Sequence, residues 1–386
     1  MHQHTRALVV ITICRNRLDN AQMSDIEQYK SAFCVKGERI NRKITTFGFY
    51  DASGSAIENT EISTTGWTTQ PLPEIKETQS ELQIFGPAMF GGSADKQFGF
   101  VLLNSIGRLW ALDKLPPNTA IVFGSKTIKQ RVIFDYVSYV LRSFGLNNSI
   151  MVVDAKTRFE NLYVPREHFG EASGGRGTKN FYEWIDEKWG CKKAPKKDRK
   201  VYVTRSSLGP LAGRFTCEEH LERLLMDEGY EIYAPEQHNL THQIETYLSA
   251  DKIIFSEGSA LHLFSLIRQP HQVSAVIQRR NNLPYVMASQ MADRDGLATV
   301  SINAIVSIRF DTRRGEHLSK AELDFSIIKD ELVKANLILG KTWTAPTKED
   351  LETSIRAGLA PHDYLMSYKE HRSWVKMQRK KKDHHV

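Results

Sequence analysis

The chain has 386 residues, 41% hydrophobic and 10% aromatic, enough to build the cores of two ordinary domains and too apolar for a disordered polymer. Its 25% charged residues are usual for a globular protein, and a formal charge of +7 points to anionic partners. Four cysteines (Cys14, Cys34, Cys191, Cys217) stand far apart without CxxC spacing, which argues against zinc and against a disulfide framework.

Near the start, the apolar run at residues 7–13 is far shorter than the roughly 20 residues a membrane-crossing helix needs, and no small-residue cleavage site follows. The reading is a chain with no span and no signal peptide, placed in the reducing cytoplasm. Arg6–Ile13 and Ile44–Tyr50 read as strands, and residues 66–75 as an extended linker. In the block from Leu82 to Phe169, Phe98–Leu112 is apolar at helical spacing and closes on Leu115-Pro116-Pro117. Ala120–Phe123 then reads as a strand, Gln130–Phe144 as an amphipathic helix and Ser149–Val153 as another strand. Such alternation predicts a parallel sheet. Residues 170–180 are glycine-rich but follow no strand, so they read as a mobile loop rather than a phosphate-binding fingerprint. A helix at Phe181–Trp189 and a lysine-rich hinge at residues 192–200 follow.

The next block is the clearest α/β unit. Strands are predicted at Lys200–Thr204, Tyr230–Tyr233, Lys252–Ser256 and Gln272–Ile277, alternating with helices at Cys217–Glu228, Thr241–Ala250 and Ala260–Ile267. Short βαβ units of this kind wind into a doubly wound sheet whose ligands sit at the carboxyl ends of its strands. From Lys341 onward the composition predicts helices packed on the body and a basic tail, residues 378–386. Runs like this tail and the lysine-rich hinge are usually solvated; the functional alternative is contact with an anionic membrane surface or a polyanion.

The predicted strand ends carry the chemistry. Lys252–Ser256 runs into Glu257-Gly258-Ser259, and Ala260–Ile267 opens immediately after. A helix start offers unpaired N–H groups and a positive dipole end, a natural seat for phosphate, and here Glu257 and His262 bracket it. Arg205 ends another strand, Arg214 follows, and both offer guanidinium forks suited to phosphate oxygens. The alternative for Arg205 is a strand-end salt bridge. Glu218 and Glu219 in a first helical turn suit the macrodipole, with Thr216 as a plausible cap; one of them could instead hold Arg205 or Arg214. His238 lies in the loop after the second strand, and His262 reads equally well as a packing or capping histidine. Asn104 and Arg108 lie one turn apart on the Phe98–Leu112 helix and could face the same crevice, although most of that helix must be core. Motifs for nucleotide hydrolases, serine hydrolases, zincins and dinucleotide binders are absent. The basic residues are not interleaved with aromatics on one face, so no nucleic-acid partner is expected.

Taken in order, VYVTRSS, GRFTCEEHLERLL, GYEIYAPEQHNLTHQIETYLSADKIIF and SEGSALHLFSLI resemble glycosyltransferase family 61, a family that includes bacterial capsular-polysaccharide enzymes. The family's strand-end Ser/Thr-Arg corresponds to Thr204-Arg205, its next arginine to Arg214 and the glutamate opening a helix to Glu218. Its "HGa" turn corresponds to Glu257-Gly258-Ser259, with Glu257 in place of histidine and His262 where relatives carry asparagine. Upstream, FGFVLLNSIGRLWAL is similar to the family's "gHfl.e.lpRlw.l", with Phe100 replacing the histidine and Asn104 the acidic residue.

The resemblance implies a GT-B-like α/β architecture, two Rossmann-like doubly wound domains facing a cleft. The expected division is a β-rich extension at 1–75, an acceptor-side domain at 76–190, a nucleotide-sugar domain at 198–340 and C-terminal helices with the basic tail at 341–386. It implies inverting transfer of a hexosyl or pentosyl group from a nucleotide-sugar to a glycan acceptor, without a metal or other cofactor, in capsular or other surface polysaccharide synthesis. Arg205, Arg214 and the Gly258-Ser259-Ala260 helix start would hold the departing diphosphate. Glu257 is the leading candidate for the general base and His262 the second. Glu218, Arg108, Asn104 and His238 would support the site. The expected location is the cytoplasm, at the inner face of the membrane where the basic tail docks. The alternative is a catalytically inactive sugar- or nucleotide-binding relative that scaffolds polysaccharide assembly.

Overall fold

The computed structural model describes residues 25–35, 44–45, 47–61, 63–64, 67–69, 71, 82–94, 98–125, 135–153, 155–170, 173–190, 198–209, 212–281, 283–292, 294, 298–311, 319–359 and 365–383. The expected Arg6–Ile13 strand, most of the 66–75 linker, residues 192–197 of the hinge and the final residues of the basic tail lie outside these.

Five parallel strands between residues 200 and 302 form one sheet, in the order Glu231–Tyr233, Lys200–Val203, Lys252–Ser256, Val273–Ile277, Val300–Ile302. Numbered along the chain this is 2-1-3-4-5, so the winding reverses between Lys200–Val203 and Lys252–Ser256. Alternate side chains enter opposite cores: Val201, Val203, Ile253 and Phe255 on one face, Tyr202, Ile254 and Ile277 on the other. Burial on both faces is why these strands are short continuous apolar runs rather than alternating ones. Helices Leu240–Ser249 and Ala260–Ile267 cover the first face, Glu218–Asp227 and Phe325–Lys334 the second. Asn239 caps the Leu240–Ser249 helix by accepting from His242 N–H at 2.8 Å.

The first sheet is mixed rather than parallel throughout. Leu82–Ala94, Ala120–Ser125, Ile150–Val153 and Thr157–Pro165 contribute its parallel pairs. Phe33–Val35 and Ile26–Lys30 then pair antiparallel with Thr157–Pro165, and Gly48–Tyr50 pairs with Phe33–Val35. The antiparallel partners of Thr157–Pro165 come from the far N-terminal part of the chain, outside the block whose strand–helix alternation predicts parallel pairing. A further four-stranded sheet joins Arg214–Phe215, Lys320–Leu323, Ile305–Asp311 and Leu365–Ser367. The C-terminal segment thus adds a strand as well as the helices Lys348–Arg356 and Tyr368–Asp383.

The expected helix Phe98–Leu112 is broken. It runs only from Phe98 to Asn104, and a 3-10 turn covers Leu109–Lys114. Gly107 explains the break: a Cβ there would stand 1.7 Å from the carbonyl oxygen of Phe169, so the chain passes where only glycine fits. The Ala260–Ile267 helix packs against both Phe98–Asn104 and Lys179–Trp189, and one hydrophobic cluster runs through all three into the parallel sheet. Among the described residues no helix is long and apolar enough to cross a membrane.

Candidate functional site at the parallel strand ends

Three neighbouring strands deliver their polar ends to one point. Lys200–Val203 is followed by Thr204-Arg205, Lys252–Ser256 by Glu257-Gly258, and Val273–Ile277 by Gln278-Arg279-Arg280. The winding reversal lies between the first two, the position where doubly wound sheets open a crevice. Arg205 Nε and Nη2 donate to Gly213 O at 3.1 and 3.0 Å, which turns Nη1 onto Gly258. A Cβ on Gly258 would lie 2.6 Å from that nitrogen. The Arg205 backbone is fixed as well: its N–H donates to Glu218 Oε1 at 2.8 Å, an oxygen that also accepts from the Tyr202 and Thr204 hydroxyls.

Glu257 is fully buried, and its carboxylate is filled. Oε2 accepts the N–H groups of Arg279 and Arg280 at 2.9 and 3.2 Å. Oε1 accepts from Arg280 Nε at 2.5 Å and pairs with Nη2 of the same guanidinium. The Glu257 carbonyl accepts from Arg279 Nε at 3.1 Å. A buried carboxylate survives only when paired and hydrogen-bonded in this way, and these bonds leave it no route to an incoming hydroxyl in this conformation. Burial lowers the basicity of the Arg279 guanidinium to a pKa of about 10, and the neighbouring Arg205 and Arg280 cations push it the same way. Arg205 is likewise lowered, chiefly by burial. Three guanidiniums stand against two buried carboxylates, Glu257 and Glu218, which leaves the site short of negative charge.

His262 sits one turn into the following helix and is 6% exposed. Its Nδ1 lies 2.7 Å from Gln290 Oε1, which makes Nδ1 the donor and leaves the lone pair on Nε2. Burial drives the pKa of His262 down to about 4, so the ring is neutral at pH 7. The Cδ2–Nε2 edge faces Gly99 of the Phe98–Asn104 helix, where a Cβ would stand 2.9 Å from Cδ2. The two halves of the chain therefore meet at this imidazole.

The family model described as Glycosyltransferase 61 matches residues 67–273, more than half of the 386-residue chain. The chain belongs to glycosyltransferase family 61. The match spans Arg205, Gly258 and His262 and supports a transferase acting on a sugar donor and an acceptor. Among curated proteins, no match is found.

Within the family 61 span, the structure brings some of the expected residues together and separates others. Arg205, Glu257, Gly258, Ser259, Ala260 and His262 share the strand-end region, and Glu218 supports it from beneath Arg205. Arg214 turns elsewhere. Its Nη2 donates to Glu219 Oε1 at 2.5 Å, and its side chain lines a separate cavity of about 540 Å³ under the Lys348–Arg356 helix. Glu219 is thus the acid that hydrogen-bonds Arg214, while Glu218 fixes the Arg205 backbone and lies 3.9 Å from Arg214 Nε with its other oxygen. The expected cap Thr216 instead donates to Ala321 O, and Cys217 occupies the cap position with φ +56°.

Arg108 does not face the crevice. Since the helix ends at Asn104, Arg108 leaves that face, and its Nη1 pairs with Glu167 at 2.6 Å with the guanidinium over the Phe90 ring. Asn104 is buried, and its Nδ2 has no partner among the described residues. His238 is exposed and stacks on Tyr233 and His242, ring centroids 4.6 and 4.4 Å away. No group of three His, Cys, Asp or Glu among the described residues could hold a metal ion. Arg279, Arg280 and Gln290 were not marked by the sequence reading and lie beyond the matched span. The signal available was Gln278-Arg279-Arg280 directly after a strand parallel to Lys252–Ser256, the position already given weight at Arg205.

Proposed function

We propose that this family 61 protein transfers a sugar from a nucleotide-sugar donor to a glycan hydroxyl. The observation that carries the reading is the convergence of Arg205 and the Gly258–Ala260 helix start on one crevice. The donor diphosphate binds there, and the guanidinium together with the helix N–H groups stabilises the charge that grows as the glycosidic C–O bond breaks. The acceptor oxygen attacks the anomeric carbon from the opposite face, which inverts its configuration. His262 Nε2 takes the hydroxyl proton, and Gln290 Oε1 stabilises the imidazolium through Nδ1–H. Because the arginines supply the charge, no bound metal is required. The two halves act as the facing domains of a GT-B arrangement, with the acceptor entering from the Phe98–Asn104 side.

We further propose that the product is a capsular or other surface polysaccharide, made in the cytoplasm with the basic C-terminal segment held against anionic lipid. Thermal-shift and hydrolysis assays with UDP- and GDP-sugars, and a CMP-sugar as the monophosphate control, test the donor reading; stabilisation by a diphosphate sugar with release of its nucleotide is the expected result. Glu257 enclosed by its arginines favours a second reading, a donor-binding relative without turnover. In that case the same donor stabilises the protein and is never consumed.

A further inference from the structure

Arg280 is positioned unlike an ordinary surface arginine. Its own N–H, Nε and Nη2 are all committed to the Glu257 carboxylate, yet its side chain remains 28% exposed. Nη1 has no hydrogen-bond partner among the described residues, and Nη2 also lies 3.9 Å from Met287 Sδ. One edge of the fork is locked inside the protein and the other edge is presented outward. The carboxylate that locks it is the residue immediately before Gly258, and Gly258 carries Arg205 on its open face. A single two-residue turn, Glu257-Gly258, therefore fixes two guanidiniums, one through a filled carboxylate and one through a missing side chain.

We propose that Arg280 is a ligand of the donor diphosphate, and that Glu257 is the residue that positions it rather than the base. The assignment rests on the donor site described under Proposed function. Charge supports it in sign: Arg280 neutralises Glu257, and with Glu218 the only other carboxylate hydrogen-bonded to Arg205 among the described residues, the three guanidiniums Arg205, Arg279 and Arg280 outnumber the carboxylates they meet, a net positive field suited to a diphosphate. Glu257 stands where the family pattern has histidine, and Arg280 lies past residue 273, where the family match ends. The two form one coupled feature: without Arg280 the buried carboxylate would repel the ligand, and without Glu257 the fork has nothing to fix its direction.

The test is calorimetric titration of wild type, Glu257→Gln, Arg280→Ala, Arg280→Lys and the Glu257→Gln/Arg280→Ala double variant with UDP, GDP and CDP. The tightest of these for wild type serves as the common probe, and hydrolysis of its sugar conjugate is followed across pH. Thermal unfolding and the Arg280→Lys variant separate misfolding from loss of contact. Each single substitution is expected to weaken diphosphate binding by about tenfold. The double variant should bind no worse than Arg280→Ala, Arg280→Lys should recover part of the loss, and the acid limb of kcat should stay in place in Glu257→Gln. Unchanged binding with turnover abolished in Glu257→Gln would overturn the proposal and restore Glu257 as base. Fully multiplicative losses in the double variant would also overturn it. Wild type binding none of the three nucleotides would instead sink the donor site itself, and Arg280's role with it.

Discussion

Arg205 lies across Gly258 so closely that one methyl group on the glycine would stand 2.6 Å from the guanidinium Nη1. This contact joins the end of one parallel strand to the start of the helix after its neighbour, and it sets the width of the candidate anion seat. Gly258→Ala should therefore push the flexible end of Arg205 aside without breaking the sheet. Nucleotide diphosphate binding should weaken by about tenfold, the scale of one charge-assisted contact, while the melting temperature moves little. Calorimetry beside thermal unfolding checks this, and an unchanged affinity would separate Arg205 from the ligand.

His262 yields a prediction in pH. Its folded pKa of about 4 lies below the ordinary value near 6.5, so the unfolded chain binds the extra proton first. The contribution of neutral His262 to stability is complete above pH 6.5 and is lost as pH falls toward 4. Over that window it amounts to roughly 3 kcal/mol. His262→Asn should remove this part of the acid sensitivity, read as urea midpoints at pH 7 and pH 4.5. If His262 also takes the acceptor proton, the same variant loses turnover but keeps donor binding.

Arg108 is a structural cation. It pairs with Glu167 at 2.6 Å in a setting where both side chains are almost closed to solvent. Arg108→Ala strands a buried carboxylate and should cost about 3–5 kcal/mol, whereas Arg108→Ala combined with Glu167→Gln should recover much of that loss. Denaturant unfolding measures both. A fully folded, equally stable Arg108→Ala that fails to bind donor would show instead that Arg108 belongs to the site.

Gly107 offers a test of the fold itself. With the Phe169 carbonyl oxygen 1.7 Å from the place a Cβ would occupy, backbone must shift to admit even alanine. Gly107→Ala should lower the melting temperature by many degrees, since rigid backbone rather than a mobile side-chain end opposes it. A near-native melting temperature would contradict the close approach.

What could be read from the residues alone was local. Lys252–Ser256 is short, apolar and bounded by the Glu257-Gly258-Ser259 turn, and Ala260–Ile267 is an apolar run directly after it, so the strand, turn and helix fall where the pattern places them. What escaped was set by partners distant in sequence. The Phe98–Leu112 periodicity continues through Gly107, and only the Phe169 carbonyl ends the helix there. Glu257 reads as a turn carboxylate ready for proton transfer until the strand at Val273–Ile277 brings Arg279 and Arg280 against it. Arg214 resembles a second phosphate fork because it follows Arg205 closely in the chain, and only the fold shows Glu219 turning it away. Strand pairing between Ile26–Lys30 and Thr157–Pro165 likewise carries no local signature.

The most direct measurement is titration of the nucleotide diphosphates into wild type and Arg205→Ala, with both proteins shown to be folded. Saturable binding of one diphosphate per chain, weakened at least about tenfold by removal of the guanidinium, is the predicted result. Equal affinity in the two proteins would contradict a donor site at the ends of the parallel strands.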